Sequence, residues 1–234
     1  ETGGIMNNIM TFKRREIKYL LDDDEYNSLK ERLQARLVED EHGRSTICNI
    51  YYDTPDFRII RKSLEKPVYK EKLRLRSYGT AGAEDKVFVE LKKKYNGIVY
   101  KRRETLTLAQ SDEYLAGHTK APCDTQIFRE IDWFRDYYGN LKPAMYISYE
   151  REAYYSLENP DLRITFDRNI MYRSYNLSLA AGVEGESILE PGQHLMELKA
   201  GGAIPVWLTK VLDELGIYPA SFSKYGRAYL SQVG

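Results

Sequence analysis

The stretch Tyr69–Tyr78, YKEKLRLRSY, limits what this chain can fold into more than any other. Lys70, Lys72, Arg74 and Arg76 alternate with Glu71, Leu73, Leu75 and Ser77. A strand sends successive side chains to opposite faces, so the cations line one face while the leucines share the other. At about 4 Å and an effective dielectric of about 20, two like charges repel by about 4 kcal/mol. Neighbours on one strand face lie farther apart and are partly screened, so each pair costs less, but the cost accumulates. One such strand alone could be a solvated edge that resists aggregation. Recurrence of the pattern changes that reading.

It recurs along the chain. Phe12–Leu21 (FKRREIKYLL) reads as a first strand with Arg14, Glu16 and Lys18 on one face and Ile17 and Tyr19 on the other. Lys86–Lys94 (KVFVELKKK) sets Phe88, Glu90, Lys92 and Lys94 opposite Val87, Val89 and Leu91. Asn96-Gly97 is a two-residue hairpin signal. It returns the chain through Ile98–Leu108, carrying Lys101, Arg102 and Arg103, and hairpin register decides which of these points inward. Ala144–Tyr155 carries Arg151, and Leu162–Tyr172 alternates Arg163, Thr165 and Asp167 with Ile164 and Phe166. His194–Lys199 sets Glu197 and Lys199 opposite Met196 and Leu198. Ser45–Asp53 is a β-branched and aromatic strand ended by the turn residues Thr54-Pro55-Asp56.

Between these strands lie segments of helical spacing. Asp22–Asp24 opens one, and Tyr26, Leu29, Leu33 and Leu37 carry it to about Val38. A short turn fits Phe57–Leu64, and two helices fit Ala109–Lys120 and Asp124–Tyr138, the second with Ile127, Ile131, Phe134 and Tyr138 along a stripe. Ile204–Leu215 is helical with Gly216 as its stop, and Ser223–Gln232 forms a last helix with Lys224 near its start. Ser174–Gln193 reads equally as strand or loop. No repeat, low-complexity tract or linker divides the chain, so a single domain over 6–234 is expected, with ETGG as an expression remnant and Met6 as the native start.

Composition narrows the function. Lys+Arg and Asp+Glu both number 35, so the net charge is zero and a general nucleic-acid coat, which wants a basic excess, is disfavoured. Any anion site must come from local segregation of charge. Cys48 and Cys123 have no CxxC spacing, and His42, His118 and His194 are scattered, which argues against thiolate and histidine metal sites and suits a reducing compartment. No apolar run approaches the ~20 residues of a membrane span and no signal peptide is visible. A cytoplasmic setting is expected, with attachment to the inner face of a membrane through a partner protein left open, as is the oligomeric state.

Strands that are cationic on one face and aliphatic on the other, with apolar-striped helices to cover them, pack most simply as an α+β fold. Its core is an antiparallel β-barrel, or nearly closed sheet, with a basic lumen under a helical jacket. Lys18, Lys72, Arg74, Arg76, Lys92, Arg151, Arg163 and Lys199 would crowd that lumen, offset in part by Glu16, Glu90 and Glu197. Such a cavity is relieved by a phosphate-rich polyanion, because arginine forks match phosphate oxygens. Sparse carboxylates suggest Mg²⁺ or Mn²⁺ bridging protein and phosphates. The plain alternative is Lys–Glu ladders across ordinary solvated strands. There is no GxxxxGK[ST] or GxGxxG loop, and no Ser/His/Asp or Cys/His set.

The ordered motifs ExK at Glu16–Lys18, KLRLRxYG at Lys72–Gly79, VELK at Val89–Lys92, YERxAY at Tyr149–Tyr154, LRITFD at Leu162–Asp167, MELK at Met196–Lys199 and SKYGRA at Ser223–Ala228 span nearly the whole chain. In them the sequence resembles the VTC (vacuolar transporter chaperone) domain, the polyphosphate polymerase branch of the triphosphate tunnel metalloenzymes (CYTH-like superfamily). The resemblance implies a tunnel barrel that binds a nucleotide triphosphate with Mn²⁺ or Mg²⁺. It implies Lys18, Arg74, Arg76, Lys92, Arg151 and Arg163 as the catalytic cations, and Lys72, Lys101, Arg103, Lys199 and Lys224 as further substrate contacts. Glu197 would hold the metal, assisted by Glu16 and Glu90. ATP and inorganic polyphosphate would be the substrates and ADP the by-product. Arg14 stands where the hydrolase branch opens with a Glu, Leu195 where some RNA triphosphatases carry a second acid, and Ser221 where the eukaryotic polymerase carries a second Lys. Fewer carboxylates favour transfer between phosphates over activation of water. The competing readings are a triphosphatase of the same fold and a non-catalytic polyphosphate or nucleotide sensor.

Overall fold

A computed structural model describes residues 15–41 and 43–234. The first strand's expected start at Phe12, Arg14 and Met6 lie outside the described residues, as does His42. The elements run β1 (Arg15–Leu21), α1 (Asp23–Leu33), β2 (Leu37–Glu39), β3 (Ser45–Asp53), α2 (Arg58–Leu64), β4 (Tyr69–Tyr78), β5 (Lys86–Tyr95), β6 (Ile98–Thr107), α3 (Leu108–Ala116), α4 (Gln126–Tyr138), β7 (Lys142–Ser156), β8 (Arg163–Arg173), β9 (Glu186–Ser187), β10 (His194–Ala200), α5 (Val206–Glu214) and α6 (Lys224–Val233).

The strands form one antiparallel sheet in the order β1-β10-β8-β7-β3-β4-β5-β6, with β2 added to β7 and β9 to β8. The sheet is curled, not closed by backbone pairing between β6 and β1. Its two ends still meet through side chains, for Lys92 on β5 reaches Glu16 on β1 at 3.4 Å.

Period-2 alternation sorts the faces as expected. Outside, Leu73, Leu75, Val87, Val89 and Leu91 are buried under α3 and α4. Tyr19, Leu21, Ile164, Phe166, Met196 and Leu198 are buried with Leu29 and Leu33 of α1 and Leu208 and Leu212 of α5. A third apolar cluster is different. It joins Ile47 and Tyr51 of β3, Ile147 and Tyr149 of β7, and Leu195 of β10 with Ile60 of α2 and Tyr225 and Ala228 of α6. These are inward-facing positions, so α2 and α6 close one end of the lumen.

Asp53 holds that closure. Its buried carboxylate accepts the backbone N–H groups of Thr54, Ile59 and Ile60 at 2.8–3.0 Å, and the Tyr225 hydroxyl at 2.8 Å. A negative charge on the unpaired amides of a helix start is favourable, and the same group ties α6 to α2.

Several expected boundaries move. The first helix ends at Leu33, because Leu37–Glu39 gains more as a strand paired with Ser156, Tyr155 and Tyr154. The third ends at Ala116, where Gly117 at φ 83° supplies the left-handed stop, and the fourth begins at Gln126 behind the Thr125 cap. Its stripe centres on Phe128, Ile131 and Phe134, with Ile127 and Tyr138 only partly buried. Asn96-Gly97 makes the hairpin turn with φ of 44° and 83°. The ambiguous Ser174–Gln193 is mostly irregular and wraps one side chain. The guanidinium of Arg173 is buried over the Tyr146 ring and donates to the carbonyls of Asn176, Ser178, Gly182 and Glu184. Among the described residues no helix is long and apolar enough to cross a membrane.

Replacing Asp53 with Ala leaves amides and a tyrosine hydroxyl unpaired at the closed end. The expected loss is about 2–4 kcal/mol in a denaturant titration, with Asp53→Asn losing less.

Candidate active site

The basic faces of β4, β5 and β6 meet in register. Arg74 pairs with Glu90 and Glu90 with Arg103, while Lys72 pairs with Lys92 and Lys92 with Lys101. This settles the hairpin. Lys101 and Arg103 share the inner face with Glu90, and Arg102 points outward to Glu130 of α4 at 3.5 Å. Glu90 is fully buried and ringed by cations: Arg74 at 2.6 Å, Lys101 at 2.7 Å, Arg76 at 3.8 Å, and Arg103. Burial alone would raise its carboxyl, but Arg74, Arg76 and Lys101 hold it far below the ordinary range. Tyr51 and Asn49 on β3 complete this wall, accepting from Arg74 at 3.2 Å and Arg76 at 3.0 Å.

The facing wall comes from β7, β8, β10 and β1. Arg151 clamps Asp167 through two bonds of 2.6 and 2.7 Å and lies 3.7 Å from Glu197. Lys224, the first residue of α6, enters from the closed end and reaches Asp167 at 2.6 Å and Glu197 at 3.2 Å. Lys18 and Lys199 flank Glu197 at 3.5 and 3.7 Å. Against burial, Lys224, Lys18, Lys199 and Arg151 hold the Glu197 carboxyl well below its usual range. Burial opposes ionisation of Asp167 too, and Arg151 and Lys224 overcome it. Tyr149 joins the walls, for Arg76 donates to its hydroxyl at 3.1 Å and Lys224 and Arg151 lie over its ring. Burial would raise that phenol, but Arg76, Arg151 and Lys224 pull it below the ordinary tyrosine range.

The side chains of Arg74, Arg76 and Arg151 are 16%, 8% and 14% exposed, so they converge inward and do not splay into solvent. Arg163 differs. It is 39% exposed, lies over the Tyr155 ring and pairs with Asp40 at 3.0 Å, which places it at the open mouth. Asp167, Tyr149, Asn49 and Tyr51 were not singled out in the sequence. Asp167 had a visible signal, since it shares the alternating face of Arg163 and Thr165.

A divalent cation, which the resemblance implies, can be tested against these donors. Glu16 and Glu197 sit on adjacent strands and are bridged by Lys18, at 3.8 and 3.5 Å. Thr165 lies opposite Glu197 in register, and its buried hydroxyl has no hydrogen-bond partner. Among the described residues no group of three or more His, Cys, Asp or Glu gathers as a cage. The set fits an ion that takes one or two carboxylates and completes its shell with phosphate oxygens and water. Glu90 stands apart from it, enclosed by its own cations.

Two lysines borrow polar atoms from the segment leading into α6. Lys18 donates to the Phe222 carbonyl at 2.9 Å and Lys72 to the Ser223 hydroxyl at 3.2 Å. Lys72 has no carboxylate partner among the described residues. Burial, with Lys92, Lys18 and Lys70 nearby, lowers its pKa to about 7.

Removal of Glu90 as Glu90→Ala strands several buried cations and is expected to cost about 3–5 kcal/mol in chemical denaturation. Lys72 has the opposite sign. Its folded pKa lies below its unfolded value, so from about pH 7 towards 10 the unfolded chain holds the extra proton and the empty protein gains stability as pH rises. Lys72→Met should therefore raise the thermal midpoint of ligand-free protein at pH 7 and flatten that rise. It should also weaken tripolyphosphate binding, measured calorimetrically, by about tenfold or more.

Solved structures share this architecture. A candidate adenylate cyclase from Bacillus halodurans superposes with a TM-score of 0.54 at 17% identity, covering 90% of this chain and 95% of its own. A candidate adenylyl cyclase from Hippeastrum, described as revealing a dominant triphosphatase activity, gives 0.55 at 16% identity, covering 92% and 95%. At these identities the likeness is one of fold. Curated protein sequences give no match. The family model of the VTC domain matches residues 13–233, almost the entire chain, and the chain belongs to the VTC domain family.

Proposed function

We propose that this chain is a metal-dependent polyphosphate polymerase that transfers the γ-phosphoryl group of ATP to the end of an inorganic polyphosphate chain. The observation that carries the reading is a lumen in which, among the described residues, every facing carboxylate is already committed to cations. Glu90 serves the β4–β6 wall, Asp167 serves Arg151 and Lys224, Glu197 is flanked by Lys18, Lys199 and Lys224, and Glu16 meets Lys92. None is placed as a free base for water, which favours transfer between phosphates over hydrolysis.

In this reading Arg74, Arg76 and Arg151 clamp the triphosphate, and Lys18 and Lys92 meet the transferring group. Arg163 gathers incoming phosphates at the mouth, and Lys101, Arg103, Lys199 and Lys224 complete the wall. A terminal oxygen of the polyphosphate attacks the γ-phosphorus in line. The bond from that phosphorus to the bridging oxygen breaks, and ADP leaves with the electron pair. The cations hold both partners in line and neutralise charge that spreads over the equatorial oxygens, with little covalent work asked of the protein. Glu197 and Glu16 would hold a Mg²⁺ or Mn²⁺ ion, which when bound neutralises phosphate charge.

A triphosphatase is the second reading, favoured by the activity described for the Hippeastrum protein of like fold. Incubation with ATP and Mn²⁺ followed by product sizing on a gel separates the two. Long chains with stoichiometric ADP are expected, orthophosphate alone would indicate hydrolysis, and binding without ADP release would indicate a sensor. Glu197→Gln should abolish metal-dependent turnover with circular dichroism unchanged.

A further inference from the structure

The inner face of β5 carries one residue that phosphate binding does not call for. Glu90, Lys92 and Lys94 are charged, but Phe88 on the same face is an aromatic ring. It lies outside the three apolar clusters and is half-buried. Arg76, a clamp for the triphosphate in the reading above, stands directly opposite it on β4, and Thr105 stands opposite it on β6. The guanidinium of Arg103 lies 4.3 Å from the centre of the Phe88 ring, over its face. Two bonds to Glu90, one of them 2.8 Å from Nε, hold that guanidinium in place, and 33% of the Arg103 side chain stays exposed. Tyr78, the last residue of β4, meets Phe88 edge-on at 5.8 Å and keeps 54% of its surface exposed. The outcome is an aromatic pair and a fixed guanidinium, all partly open to solvent, beside a wall of phosphate-binding cations.

Their place along the tunnel gives this group a use. Neighbouring strands are antiparallel, so β4 and β6 end where β5 and β8 begin, at the opening that also holds Arg163. The other end is closed by α2 and α6. Inward from Phe88 come Glu90 with Arg74 and Arg103, and then Lys92 with Lys72 and Lys101. The four residues from Phe88 to Lys92 advance about 14 Å along the strand. That leaves room for a ribose and a triphosphate between the ring and the lysine that meets the transferring group. Resting on the nucleotide donor of that reading, we propose that Phe88, Arg103 and Tyr78 form a stacking platform for the donor's base at the open end of the tunnel. The triphosphate then enters with its γ-phosphoryl group first. Bases stack on aromatic rings and on guanidinium planes alike. Because Glu90 and Phe88 already fix Arg103, little freedom is lost when a base settles on it. A π face is common to every base, so the platform supplies affinity for a nucleoside triphosphate over a bare triphosphate without reading the base's edge. Tyr155, on the β7–β8 side of the same opening, is less suited, for the Arg163 that covers it is drawn to Asp40.

The test separates base from phosphate by calorimetric binding on the whole chain, without polyphosphate and without turnover. The probes are β,γ-imido-ATP, which cannot pass on its terminal phosphoryl group, and tripolyphosphate, which has no base. Tyr78→Ala and Phe88→Leu should each weaken binding of the ATP analogue by roughly tenfold. Tripolyphosphate affinity should stay within about twofold, since no phosphate contact is removed, and Tyr78→Phe and Phe88→Tyr should keep the wild-type affinity for both probes. Tyr78→Ala removes an exposed ring and decides the matter if Phe88→Leu loosens Arg103 and weakens both probes. Equal losses for both probes in Tyr78→Ala, no loss for either, or losses as large in the conservative variants would overturn the platform. A loss of analogue binding confined to Tyr155→Ala would place the base on the other side of the opening and overturn it as well. Selective losses beside an ATP assay that yields orthophosphate alone would overturn the polymerase reading and leave the platform standing. Long chains in that assay beside unchanged analogue affinity would overturn the platform alone.

Discussion

Everything in this fold depends on holding many cations inside one curled sheet without their mutual repulsion forcing it open. Glu90 and the Asp167–Glu197 pair are the counter-ions that make this feasible. Neither set is a solvent-exposed ion pair of small consequence. Each is a buried carboxylate serving several cations from different strands, so each acts as a cross-link as well as a charge. Glu90 joins β4, β5 and β6, while Asp167 and Glu197 join β7, β8, β10, β1 and α6. The contact from Lys92 to Glu16 then links the sheet's two ends where backbone pairing does not. Because the outer face is aliphatic and covered by helices, the hydrophobic stabilisation lies outside the barrel and the inside is left for chemistry.

That division explains which parts were legible in the sequence. Alternation alone placed Lys18, Arg74, Arg76, Glu90, Lys92, Glu197 and Lys199 on inner faces, because a period of two leaves one alternative per strand and the leucines and valines decide it. The choice among Lys101, Arg102 and Arg103 could not be made that way, since all three follow a hairpin and its register assigns the faces. Arg163 had the correct parity but a different role. Asp40, in the loop after β2, draws it to the mouth, and a contact spanning 123 residues leaves no local trace. Asp53 was invisible for a related reason: it reads as a turn residue, while its partners lie on α2 and on α6. The segment after β8 resisted assignment because its order comes from Arg173, one buried guanidinium satisfying four carbonyls, and not from any periodicity of its own.

The closed end bears on how the site is prepared. Lys18 and Lys72 are aimed by a backbone carbonyl and a serine hydroxyl from the segment entering α6, and Lys224 is delivered by the helix itself. The Phe222 carbonyl and the Ser223 hydroxyl are neutral acceptors, unlike the carboxylates that hold the arginines and Lys224. An incoming phosphate can replace a carbonyl or hydroxyl acceptor at little cost, whereas it must compete with a carboxylate for a clamped arginine. The arginines and Lys224 are therefore fixed features of the wall, and Lys72, which has no carboxylate partner among the described residues, is the group freest to follow a bound phosphate. Stabilising charge that shifts during a reaction needs dipoles and cations already in place before it shifts. Here that preparation comes from α6, whose docking depends on Tyr225 bound to Asp53 and stacked at 4.6 Å on Tyr51, the residue that also accepts from Arg74. Closure of the tunnel and alignment of its cations are thus one packing event.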